Sequence, residues 1–180
     1  MERRSYVIGF ALVWQLCWVL VVAGAGSRLW PASLSLAITL LAVHLAAQGA
    51  AARRELPVLA AAAAFGLLGD SLLSASGLVD YRADLTGTTL APVWIVVLWL
   101  WFACALHHPL SFLQQGRYVL AAVLGALSGP LAYLGGERLG AIAFPDNAPL
   151  ALLGVAVLYG SAVPALTHIA RLSSRRPVHA

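Results

Sequence analysis

Few residues in this chain could do chemistry, and most of them sit in apolar company. Asp70 stands in FGLLGDSLLSAS, residues 65–76, with no basic neighbour. Glu137 and Arg138 close the run SGPLAYLGGERLG, residues 128–140. An ionisable side chain inside an apolar helix is costly and as a rule faces the bundle interior or a cavity. There a carboxyl group can hold a polar ligand or lock two helices by hydrogen bonding. Tyr133 precedes Glu137 by four residues, so both point the same way from a helix. We expect Asp70, Tyr133, Glu137 and Arg138 to gather in one outward-opening polar pocket, with Trp94 at a span end and Gln15 mid-span. Asp80, Arg82 and Asp84 adjoin it. A purely structural hydrogen-bond network is the alternative.

Histidine supplies a second polar group. ALHHPLSFL, residues 105–113, carries His107 and His108, and ALTHIARL, residues 165–172, carries His168. Three imidazoles suit a tetrahedral metal. Adjacent helical residues point about 100° apart, however, and no inward carboxylate of clear placement completes the set. The three are therefore expected at the head-group interface of the inner face. No metal and no other cofactor is expected. His44 and Gln48, four apart, read as a polar pair joining helices.

These residues must be positioned by helices in lipid. Of 180 residues 61% are hydrophobic and 10% charged, against about 25% charged in a soluble domain. Apolar segments of near-membrane length recur between short polar breaks. The expected fold is all-α, a single integral membrane domain over residues 1–180 with six transmembrane helices. The spans fall at about 6–24, 31–52, 57–76, 90–107, 118–141 and 148–170, each near the roughly 20 residues a span needs. Strands are excluded by the length of the runs and their lack of alternation. The first segment lacks a cleavage-site signature and reads as a retained helix.

All 11 basic residues are arginine. With six spans, Arg3, Arg4, Arg53, Arg54, Arg117, Arg171, Arg175 and Arg176 share one side. The other side receives Arg28, Arg82 and Arg138, with Asp80, Asp84 and Asp146. Positive residues mark the cytoplasmic face, so both termini are expected there, in a multi-pass protein of the cell inner membrane. The same rule accounts for the net charge of +4, and no loop is long enough for a nucleic-acid module. Cys17 and Cys104 read as small apolar fillers.

The fifth span has its own pattern. Gly125, Gly129, Tyr133, Gly136 and Gly140 recur at three- and four-residue steps, which lets helix backbones approach closely in lipid. Pro130 is expected to kink that helix. No phosphate-binding loop, dinucleotide fingerprint or H-E-x-x-H is present. GALSG, residues 125–129, misses the G-x-S-x-G elbow by one place.

GLLGD at 66–70, PVWIVVLWLWFACALHHPLSFL at 92–113 and GALSGPLAYLGGERLGA at 125–141 together resemble a bacterial inner-membrane family catalogued as domain of unknown function 2878. The resemblance covers nearly the whole chain. Pro109 departs from the small polar residue usual in that motif. The resemblance implies envelope lipid biology, because genes of the family often accompany lipid-modifying enzymes. It marks Asp70, Trp94, His108, Gly129, Pro130, Tyr133 and Gly136 as functional or architectural positions. The leading expectation is a protein that handles a membrane lipid or amphiphile in a polar intramembrane pocket, with a lipid-modifying enzyme as partner. The alternatives are a membrane-embedded lipid-modifying enzyme and a structural subunit docking through the glycine face of span five. Substrate and oligomeric state are not written in the sequence.

Overall fold

The structure, a computed structural model, describes residues 2–83, 88–145 and 147–175, with side chains from Ser5 onward. Asp84, Asp146 and Arg176 lie outside the described residues. Among the described residues six α-helices follow in order: α1 Glu2–Ala25, α2 Trp30–Gln48, α3 Leu56–Ala75, α4 Val93–His107, α5 Tyr118–Arg138 and α6 Ala148–Ser174. Two-residue strands β1 (Asp80–Tyr81) and β2 (Ile142–Ala143) pair antiparallel outside the helices. The chain is an all-α, multi-span membrane protein.

Local sequence explains where the helices begin and end. Pro31, Pro57 and Pro149 lie in the first turns of α2, α3 and α6, where a missing N–H costs nothing and the fixed φ favours helix. Gly49 takes φ 54° and ends α2 at Gln48, earlier than the apolar run suggests. A 3-10 helix, Gly49–Arg54, then carries the chain to Glu55. Pro109 stops α4. Gln114, in the 3-10 helix Ser111–Gln115, donates its Nε2–H to the Leu106 carbonyl at 2.7 Å. That satisfies an acceptor which the helix end leaves open.

Five helical segments are long and apolar enough to cross a membrane: Ser5–Ala25, Trp30–Arg54, Leu56–Ala75, Tyr118–Arg138 and Ala148–Ser174. Their outer faces are apolar; Ile8, Leu12 and Leu16, four apart on α1, are each 61% exposed. In water such a stripe would be a liability, and in hydrocarbon it is the natural surface. The sixth helix, α4, has only 15 residues, nine of them buried. At 1.5 Å per residue it spans about 22 Å. It packs against α1, α2, α3 and α6 and forms the centre of the bundle. A helix walled in by protein need not match the thickness of the lipid.

Successive helices alternate in direction. At one end, the histidine end, Tyr6 bonds Gln48, Glu55 meets His108, and Tyr118 meets His168. At the other, the ribbon end, β1 pairs with β2 across two loops, and Gly26 lies against Leu139 and Gly140. Helix α5 packs on α6 through its glycines. A Cβ on Gly125 would strike the Tyr159 carbonyl, and one on Gly129 would lie 2.7 Å from the Tyr159 ring. At Gly125 and Gly129 the glycine face is thus filled by α6 of the same chain, while Gly136 faces Ile142 and Val22. Pro130 sits within the unbroken helix α5 and, lacking an amide proton, leaves the Ala126 carbonyl without its helical donor.

Candidate functional sites

The first cluster is built around Asp70, which is fully buried in α3. One turn earlier Gly66 lies on the same face. A Cβ there would strike the Trp99 ring. The missing side chain lets the indole of α4 lie flat on α3, and its Nε1–H donates to Asp70 Oδ2 at 2.8 Å. Tyr133 of α5 donates to Asp70 Oδ1. Tyr81 donates to the same oxygen at 2.7 Å, and the two phenol oxygens stand 3.0 Å apart. Tyr81 arrives from strand β1. Strand alternation turns its side chain inward while Asp80 faces out. One carboxyl group thus ties together α3, α4, α5 and strand β1.

Beside this network lies a cavity of about 350 Å³. Helix α1 contributes Trp14, Gln15 and Trp18; α4 contributes Trp94, Trp99 and Phe102; α5 contributes Ser128, Leu131 and Tyr133. Tyr159 closes its back, with its ring 4.6 Å from that of Trp99. Trp94 donates its Nε1–H to the Arg82 carbonyl at 2.9 Å, pinning the loop over the cavity. Gln15, Ser128 and Leu131 are exposed on its rim. Asp70, Tyr133, Trp94 and Gln15 are thus brought together. Glu137 and Arg138 are exposed at the end of α5 and take no part in the cavity wall. Asp80 and Arg82 also face outward.

The second cluster sits at the histidine end, and its centre is Glu55. His44 Nε2 lies 3.3 Å from Glu55 Oε2, and His108 Nε2 lies 3.1 Å from Glu55 Oε1. The Glu55 and His44 side chains are 4% and 9% exposed. Cys104, wholly buried, completes a group with His44 and Glu55 whose ligand atoms all lie within 4.8 Å of one another. Burial works to raise the Glu55 carboxyl. Hydrogen bonds from His108, His44 and Cys104, with the charge of His44, outweigh it and hold the group at about 2. Gln48 donates to the Tyr6 hydroxyl at 2.7 Å and approaches His108 Nε2 at 3.4 Å. Phe10 covers both imidazoles, at ring distances of 5.0 and 4.6 Å.

The three histidines singled out in the sequence do not converge. His108 belongs to the Glu55 cluster. His107 meets Ser174 at 3.4 Å through Nδ1, and its Nε2 is buried with no partner among the described residues. His168 is exposed and bonds the Tyr118 hydroxyl, which also accepts from Arg171. Sequence reasoning missed Glu55, which follows Arg53 and Arg54 and reads as a loop charge. No local signal was available: eleven residues of continuous helix would carry it about 16 Å from His44, and the break at Gly49 is what brings it back. Tyr81 carried no signal, since only the pairing with β2 turns it inward.

The helices and the clustered residues define a polytopic membrane protein with a buried His/Glu/Cys site. Its sequence places it more closely: the chain belongs to the family described as Protein of unknown function (DUF2878), which it matches over residues 7–165. No curated protein and no solved structure matches it.

Proposed function

We propose that this is a six-span protein of the cell inner membrane, both termini cytoplasmic, that binds a lipid or other amphiphile between α1, α4 and α5. The observation that carries this reading is the aromatic cavity of about 350 Å³ with a rim at the lipid-facing surface. That volume is on the scale of small-molecule sites, about 300–1,000 Å³. Walls of Trp14, Trp18, Trp99 and Phe102 suit an acyl chain. The Tyr133 hydroxyl, oriented by Asp70, offers the wall a fixed polar group. A mouth between α1 and α5 lets a chain enter sideways from the bilayer without crossing water. The bound lipid would be translocated or presented to a lipid-modifying enzyme.

Filling the cavity tests this. Ala132 lines it, and Ala132→Phe would occupy its space while leaving Asp70 and all three of its donors unchanged in the chain. Lipid extracted from the purified, detergent-washed variant should fall at least twofold per chain relative to wild type, by quantitative mass spectrometry. Equal lipid in both proteins would remove the cavity as the binding site. A second reading, an enzyme acting on lipid, draws on the His44–Glu55–Cys104 group at the other end of α4.

A further inference from the structure

We infer that His44, Glu55 and Cys104 form a binding site for a divalent transition metal of the zinc class, with His108 as the residue that positions Glu55. This site is separate from the lipid cavity and does not depend on it. Its donor atoms are an imidazole nitrogen, a carboxylate oxygen and a thiol sulfur, the set that borderline-soft zinc prefers. Metal bonds of about 2.0–2.2 Å at a tetrahedral angle place nitrogen and oxygen ligands about 3.3–3.5 Å apart, and His44 Nε2 stands 3.3 Å from Glu55 Oε2. The Cys104 sulfur lies within 4.8 Å of both partners' ligand atoms, so small rotamer adjustments close the triangle.

Charge points the same way. A buried carboxylate calls for a cation, and among the described residues the ion-pair partners of Glu55 are two histidines, which carry charge only when protonated, with no arginine within ion-pair distance. Arg53 and Arg54 are exposed. A bound dication would neutralise the carboxylate and a thiolate together. His108 holds the other carboxylate oxygen, as outer-shell partners of metal ligands do. Three protein ligands leave a tetrahedral metal one open position. Phe10 packs on the His44 and His108 rings, and Tyr6 and Gln48 stand beside His108.

The test uses full-length protein in detergent, stripped with chelator, loaded with Zn²⁺ or Co²⁺ and dialysed. Wild type should retain one zinc per chain, and its cobalt form should show a thiolate-to-cobalt charge-transfer band. Cys104→Ser, nearly isosteric, should lose that band while keeping its helical circular dichroism and elution volume. His44→Ala should weaken zinc binding at least a hundredfold, and His108→Gln about ten- to a hundredfold. Should His44→Ala fail to fold, Cys104→Ser and His108→Gln carry the decision. Wild type without stoichiometric metal, or a cobalt band that survives in Cys104→Ser, overturns the site.

Discussion

Asp70 concentrates three donors on one carboxyl group, and the cost of losing it can be bounded. Hydrogen bonds between membrane helices contribute about 0.6 kcal/mol on average and about 1.7 at most. Three of them sum to about 2 kcal/mol, with a ceiling near 5. Asp70→Ala should therefore destabilise the fold by at least about 2 kcal/mol, because Tyr81, Tyr133 and Trp99 are left unpaired in a dry interior. Asp70→Asn should cost about half as much. Its amide oxygen can still accept from the two tyrosines, but its NH₂ then faces the Trp99 N–H, donor against donor. Unfolding by increasing SDS in mixed micelles reads both values. An alanine variant as stable as wild type would mean the network is dispensable for folding. Only part of this was legible beforehand. An acid in an apolar helix announces a buried partner, and Tyr133 followed from its depth in the fifth span. Trp99 did not, because a tryptophan in a Trp-rich helix looks like packing until Gly66 is seen to make room for its ring.

The glycine face divides into positions of different kinds that look alike in sequence, where Gly125, Gly129, Gly136 and Gly140 recur, with Tyr133, at three- and four-residue steps. At Gly125 a methyl group would strike the backbone of Tyr159, which cannot rotate away. Gly125→Ala should force α5 off α6 and cost about 1–3 kcal/mol. At Gly136 a Cβ would sit 3.5 Å from Ile142, an ordinary contact. Gly136→Ala should be neutral or stabilise by up to about 1 kcal/mol through helix propensity. The same SDS titration separates the two, and equal effects would show that close packing is not what Gly125 provides. Gly140 lies past the helix end with φ 74°, so its role is the turn. Periodicity revealed that α5 has a small-residue face. It could not reveal what covers each position, since at Gly125 and Gly129 that depends on Tyr159 of α6, 30 or more residues away. The helices themselves were readable because apolar length and proline placement are local properties. The Glu55 cluster was not, because it draws on the bend at Gly49, which folds a loop residue back beneath His44.

Orientation belongs to the whole molecule, and two independent arguments bear on it. Contacts place the start of α1, the end of α2, the start of α3, the end of α4, the start of α5 and the end of α6 at the histidine end. An even number of alternating helices returns the chain to its starting side, whatever that side is. Charge then chooses the side. Arg53, Arg54, Arg117, Arg171 and Arg175 stand at the histidine end, against Arg28, Arg82 and Arg138 at the ribbon end, and positive residues near helix ends are retained in the cytoplasm. Helix α4, with 15 residues, is the shortest of the six and short for a span. If α4 were only a re-entrant segment, α5 and α6 would run opposite to the directions their contacts demand. Reporter fusions at both termini should therefore report the cytoplasm, and a cysteine at position 88–90 or at Pro145 should be labelled from the other side by an impermeant maleimide. Labelling of those positions from the cytoplasm would invert the molecule. It would also place the Glu55 cluster on the outer face, away from the metal pool of the cytoplasm, and so change which compartment could load it.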